Sequence, residues 1–104
     1  MSLSAVFVPA AQADLRAAVG WIVSDNPTAA RALRIAAERA AKRIGAHPRI
    51  GAVRSTLASG RHRFVLLRGF PYLVVYTADT DPPRILRVLH TARDLPPLLA
   101  DLGP

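Results

Sequence analysis

The 104-residue chain contains no cysteine. That excludes disulfides and thiolate metal sites and is compatible with a cytosolic setting. No apolar run approaches the roughly 20 residues that a membrane-spanning helix needs, so no membrane partner is expected. Met1-Ser2-Leu3-Ser4 lacks the basic start and long apolar segment of a secretory signal, and the expected location is cytoplasmic. Neither a Gly-rich phosphate loop nor a Ser/His/Asp nucleophile context is present. His47 and His62 have no companions at metal-ligand spacing, so neither a metal nor a cofactor is expected. Internal repeats and low-complexity linkers are also missing. At this length one domain, residues 1–104, is the natural expectation.

Lysine and acidic residues are scarce too. Lys42 is the single lysine among 14 cations, the other 13 being arginines, and only 7 acids oppose them, for a formal net charge of +7. Arginine is always charged and carries a planar fork that suits carboxylate and phosphate. Two partner classes follow: nucleic acid, or an acidic protein segment. A genome that writes Arg for Lys, with the excess merely solvated, is the bland alternative.

What is present is a hydrophobic pattern strong enough for a core, with 51% apolar residues. Residues Leu3 to Val8 read as a first strand ended by Pro9. A helix is expected from about Ala10 to Ser24. Leu15, Ala18, Val19 and Ile22 form its buried face, and Trp21 closes the edge of that face. Asn26 then caps a second helix, with Pro27 at its first position, running to about Ile44 with Gly45 just beyond its end. Its stripe is Ala30, Leu33, Ala37, Ala40, Ala41 and Ile44, and the alanines permit close helix–helix approach. Arg31, Arg34, Glu38 and Lys42 project away into solvent, with Glu38 able to pair with Lys42.

An irregular connection leads from His47 to Gly60. Strands are expected at Arg61–Arg68, Tyr72–Ala78 and Arg84–His90. In the last of these Arg84, Leu86, Val88 and His90 share one face, and Ile85, Arg87, Leu89 and Thr91 the other. The turn between the last two strands lets the Asp79 and Asp81 side chains bond nearby backbone. The expected fold is α+β, ordered β-α-α-β-β-β. A helical hairpin packs on one face of a mainly antiparallel, four-stranded sheet, and Leu95–Leu102 forms a short helical tail.

Five motifs then occur in order: Ala11-Gln12-Ala13-Asp14-Leu15, Asn26-Pro27-Thr28-Ala29-Ala30, His47-Pro48-Arg49-Ile50-Gly51, Pro71-Tyr72-Leu73-Val74-Val75-Tyr76, and Arg87 to Asp94. Together they resemble the ParE/RelE superfamily of type II toxin–antitoxin toxins, the ParE branch most closely. The resemblance implies a growth-inhibiting toxin, of the kind that stabilises plasmids or chromosomal segments, neutralised by a cognate antitoxin. That antitoxin would have a DNA-binding N-terminal part and an acidic C-terminal segment, and operator DNA would be reached only through it. RelE-type members cleave messenger RNA on the ribosome, whereas ParE-type members inhibit DNA gyrase by binding.

The residues bear on that choice. Metal-free RNA cleavage needs activation of a 2′-OH, stabilisation of the phosphorane and protonation of the leaving oxygen. Arg61, Arg63, Arg87 and His90 are the candidates for such a site, and Arg63 and Arg87 would have to approach one another across the sheet. RelE-like nucleases, however, present a dense cationic cluster with a C-terminal Tyr or His, and this chain ends in Leu-Pro-Pro-Leu-Leu-Ala-Asp-Leu-Gly-Pro. Gyrase inhibition is therefore the favoured expectation. Ribosome-dependent endoribonuclease and an inactive, toxin-fold interaction module are the alternatives. Candidates for partner binding are Arg63, Tyr76, Arg87, His90, Arg93 and Asp94. His90 alone also reads as a hydrogen-bonded structural histidine, Tyr72 and Tyr76 as core, and Asp14 as a surface carboxylate near the helix N-terminus.

Overall fold

Asn26 opens the longest element of the chain. Its side-chain Oδ1 accepts from the Ala29 N–H at 3.0 Å, and Pro27 occupies the first helical position, where no N–H is needed. A computed structural model describes residues 3–54, 60–93 and 95–102. Within them the order is β1 (Val6–Phe7), α1 (Pro9–Val23), α2 (Pro27–Ala46), β2 (Ala52–Val53), β3 (His62–Leu66), β4 (Tyr72–Thr77), β5 (Arg84–His90) and α3 (Leu95–Leu99), followed by a 3₁₀ turn at Ala100–Leu102.

Helices α1 and α2 form the expected hairpin. All six residues of the α2 stripe are buried, as are Ala11, Leu15 and Ala18 of α1. Pro9 begins α1 as well as ending β1. Helix α2 runs two residues past its expected end, and Gly45 lies inside it. A Cβ at Gly45 would stand 2.0 Å from the Leu3 carbonyl oxygen, so glycine here serves close backbone approach rather than a left-handed cap. The N-terminal segment is tied down at the same place, the Ala5 N–H donating to Ala41 O at 2.9 Å.

The sheet has five strands in the order β1-β5-β4-β3-β2, one more than expected. Only β1 and β5 run parallel. Strand β2 lies where the sequence suggests irregular chain: two exposed residues are too short to show alternation. Strand β1 keeps only two of the six residues expected for it. At the β3–β4 turn Gly69 takes φ +83°, a left-handed backbone that suits glycine. In the β4–β5 turn, Thr77 and Thr80 rather than the aspartates make the side-chain bonds: Thr77 Oγ1 accepts from the Asp79 N–H and Thr80 Oγ1 donates to Pro82 O.

Strict alternation fails in β5. Val75 pairs with Arg87 but Tyr76 pairs with Ile85, so Leu86 is an extra residue, a β-bulge. The bulge shifts the parity of the strand. Ile85 and Val88, expected on opposite faces, both join the helix-side core with Leu33, Ile44, Val74 and Tyr76.

The other sheet face is covered as well. Phe64, Leu73, Val75 and Leu89 pack with Leu99 of α3, with Leu95, Leu98 and Leu102 around them. Each such buried side chain contributes on the order of 1.5–3 kcal/mol of transfer free energy. The tail thus forms a third layer. Trp21 does not close the edge of α1; it is 83% exposed. It stands about 100° around the helix from the middle of the buried stripe, too far to reach the core. Among the described residues no helix is long and apolar enough to cross a membrane.

Candidate partner-binding surfaces

Asp14 is anchored, not a free surface carboxylate. It accepts from Arg87 Nε at 2.7 Å and Arg87 Nη2 at 3.0 Å, and from the Val88 N–H at 2.9 Å. The helical position of Asp14 in α1 and the bulge in β5 bring the three groups together. Strand β1 ends opposite Ile85, so the Val88 N–H lies beyond its reach, and Asp14 supplies the acceptor. The bidentate fork holds the guanidinium against α1 and fixes the helix to the sheet.

Arg63 and Tyr76 face each other across β3 and β4 and clasp the segment after α2. The Tyr76 hydroxyl donates to Pro48 O at 2.7 Å and accepts from the Gly51 N–H at 2.9 Å. Arg63 Nη1 donates to Gly51 O at 2.9 Å. Tyr76 is fully buried, and a Cβ on Gly51 would meet its ring at 2.6 Å. The motif at His47–Gly51 therefore acts through its carbonyls and its missing side chain.

The nuclease candidates do not converge. Strand β4 lies between Arg63 and Arg87, which places their strands about 10 Å apart, and the two guanidiniums turn to different partners. Arg61 is exposed and stands 3.9 Å from Asp79. His90 packs edge-on against Tyr72, ring centres 5.2 Å apart, and its Nδ1 accepts from the Ala92 N–H at 3.0 Å. Among the described residues no cluster of three or more His, Asp or Glu side chains could hold a metal. His62 is buried, and desolvation lowers its pKa below the ordinary 6.5, with Asp79 opposing and Arg61 adding to the shift.

The structure brings His90 and Arg93 together in a shallow groove of about 210 Å³ that also includes Tyr72, Val88 and the exposed Trp21. Asp94 falls outside the described residues. A second groove, of about 390 Å³, follows β1 and the hairpin. Val6, Phe7 and Leu15 give it apolar walls, and Arg16, Arg34 and Glu38 give it charge. Lys42 lines a third groove, and among the described residues Glu38 and Lys42 form no ion pair. Sequence reasoning missed Trp21 and this second groove. The available signal was Trp21 standing off the apolar stripe; the groove needs β1 beside both helices, which no local pattern reports.

The chain is thus a basic α+β domain with a helical hairpin over its sheet. The family described as "ParE toxin of type II toxin-antitoxin system, parDE" matches residues 5–95, and the chain belongs to that family. Among solved structures, a chain of the "Chromosomal ParDE TA system from P. aeruginosa" is similar at 23% identity and a TM-score of 0.70, covering 86% of this chain and 96% of that one. At that identity the likeness speaks for the fold. No curated protein matches the chain.

Proposed function

We propose that this toxin inhibits DNA gyrase by binding, and that a cognate antitoxin neutralises it with an acidic, amphipathic C-terminal segment. The family match carries the reading. The surfaces support it: Arg87 is held by Asp14 and Arg63 by a backbone carbonyl, whereas the grooves combine apolar walls with charged side chains. The groove beside β1 combines Val6, Phe7 and Leu15 with Arg16 and Arg34. An amphipathic segment would bury its apolar anchors there and set its acids against the two arginines. Such a segment is disordered alone and folds as it docks. Reading of operator sequence belongs to the antitoxin's N-terminal part.

The target-facing candidates are His90 and Arg93, with Trp21 beside them. Exposed Trp and Arg are the residue types that most often dominate protein interfaces. Expression of the chain without an antitoxin tests the reading. Double-strand DNA breaks with an SOS response support gyrase inhibition. Loss of translation with cut messenger RNA would replace it with the nuclease, and normal growth with the inert module.

A further inference from the structure

The outer face of α2 carries a cationic groove that the toxin reading does not use. Arg39, Lys42 and Arg43 contribute from the helix and Arg68 from the end of the β3 hairpin, around about 490 Å³ of open space. All four are exposed, and none of their side chains has an ion-pair or hydrogen-bond partner among the described residues. Arg39 and Arg43 are like charges at i, i+4, an arrangement that costs stability unless an anion relieves it. No carboxylate lines the groove, and Ala36 is its only apolar residue.

That lining discriminates between anionic partners. A folded acidic peptide needs large apolar anchors, and here it would meet only Ala36 and the aliphatic stems of the cations. A single strand bound without sequence preference needs aromatic platforms, and the groove has no ring. A duplex backbone needs only cations that meet phosphates, and three of the four here are arginine forks. We infer that this groove binds the phosphodiester backbone of double-stranded nucleic acid, independently of sequence. The inference goes beyond the proposed function: it adds a direct contact to whatever DNA the antitoxin or the target presents, and it does not rest on gyrase being that target.

Fluorescence anisotropy of the 104-residue chain with a labelled random-sequence duplex, as DNA and as RNA, tests it. Four phosphate contacts give a slope of about −3.6 for log affinity against log salt, and so roughly a 10²-fold loss between about 50 and about 200 mM. The triple variant Arg39→Gln, Arg43→Gln, Arg68→Gln should flatten that slope by about 3. The charge-matched triple Arg31→Gln, Arg54→Gln, Arg84→Gln should change it by less than about 1. Equal losses in the two triples would overturn the groove in favour of bulk charge. Binding of poly-glutamate without binding of duplex would reassign it to an acidic polypeptide. A duplex with neutral methylphosphonate linkages serves if the groove triple fails to fold: undiminished binding to it would also overturn the inference. Binding by DNA alone, or by RNA alone, identifies which duplex the groove accepts.

Discussion

Asp14 and Arg87, separated by 73 positions, meet as a bidentate pair at 2.7 and 3.0 Å, and the same carboxylate takes the Val88 N–H. The pair sits mostly out of water, with side-chain exposures of 14% and 23%. One aspartate thus joins α1 to the central part of the sheet and completes the hydrogen bonding of β5 where β1 stops. Arg87, a candidate for both the nuclease site and partner binding in the sequence, is held by the fold.

Replacing either partner removes the bidentate pair from a largely desolvated site. Asp14→Ala and Arg87→Ala should each lower unfolding stability by about 2–4 kcal/mol. The double variant should cost clearly less than the sum. Urea denaturation of the four proteins measures this coupling, and strictly additive losses would mean that the pair does not act as a unit.

Tyr76→Phe removes both bonds to the segment after α2 and leaves the Gly51 N–H without its acceptor. A loss of about 1–3 kcal/mol is expected. Gly51→Ala should also destabilise, because its Cβ collides with the buried ring. Backbone amide shifts should move chiefly around residues 48–51; shifts confined to the opposite sheet face would contradict the clasp.

His62 makes stability depend on pH. Burial lowers its folded pKa, while the unfolded chain titrates near 6.5. The unfolded state therefore binds more protons as pH falls below 6.5, and stability should decline from there down through the folded pKa. Above 6.5 the contribution is fully present. Thermal melts of the parent and His62→Gln between about pH 5 and 8 test the sign: the variant should show the shallower acid-side decline.

The tail helix is a structural layer. Leu99→Ala should cost about 2–4 kcal/mol and open the face of Phe64, Leu73, Val75 and Leu89. Increased binding of a hydrophobic dye, in protein that keeps its far-ultraviolet spectrum, is the expected readout. No change in either dye binding or stability would show that α3 is dispensable.

Local periodicity made much of this architecture readable. The α2 stripe from Ala30 to Ile44 is buried residue for residue, because a 3.6-residue period directly encodes one helix face. Alternation along β4 likewise separates Val74 and Tyr76 from Leu73 and Val75 onto the two cores. What stayed hidden depends on distant neighbours. The bulge at Leu86 breaks a sequence pattern that looks regular. The carboxylate of Asp14 finds its partner 73 positions away. Gly45 answers to the carbonyl of Leu3, not to its own helix. His90 and Arg93 stood out as candidates, but their companionship with Trp21 requires the α1–β5 packing.

The most direct measurement is a gyrase supercoiling and cleavage assay with the purified 104-residue chain. The toxin reading requires loss of supercoiling or accumulation of cleaved DNA, reversed by the antitoxin's acidic segment. It also requires that Trp21→Ala with Arg93→Ala weaken the effect by at least about tenfold while the fold is kept. Normal gyrase turnover in the presence of a folded chain that cuts messenger RNA on ribosomes would contradict it.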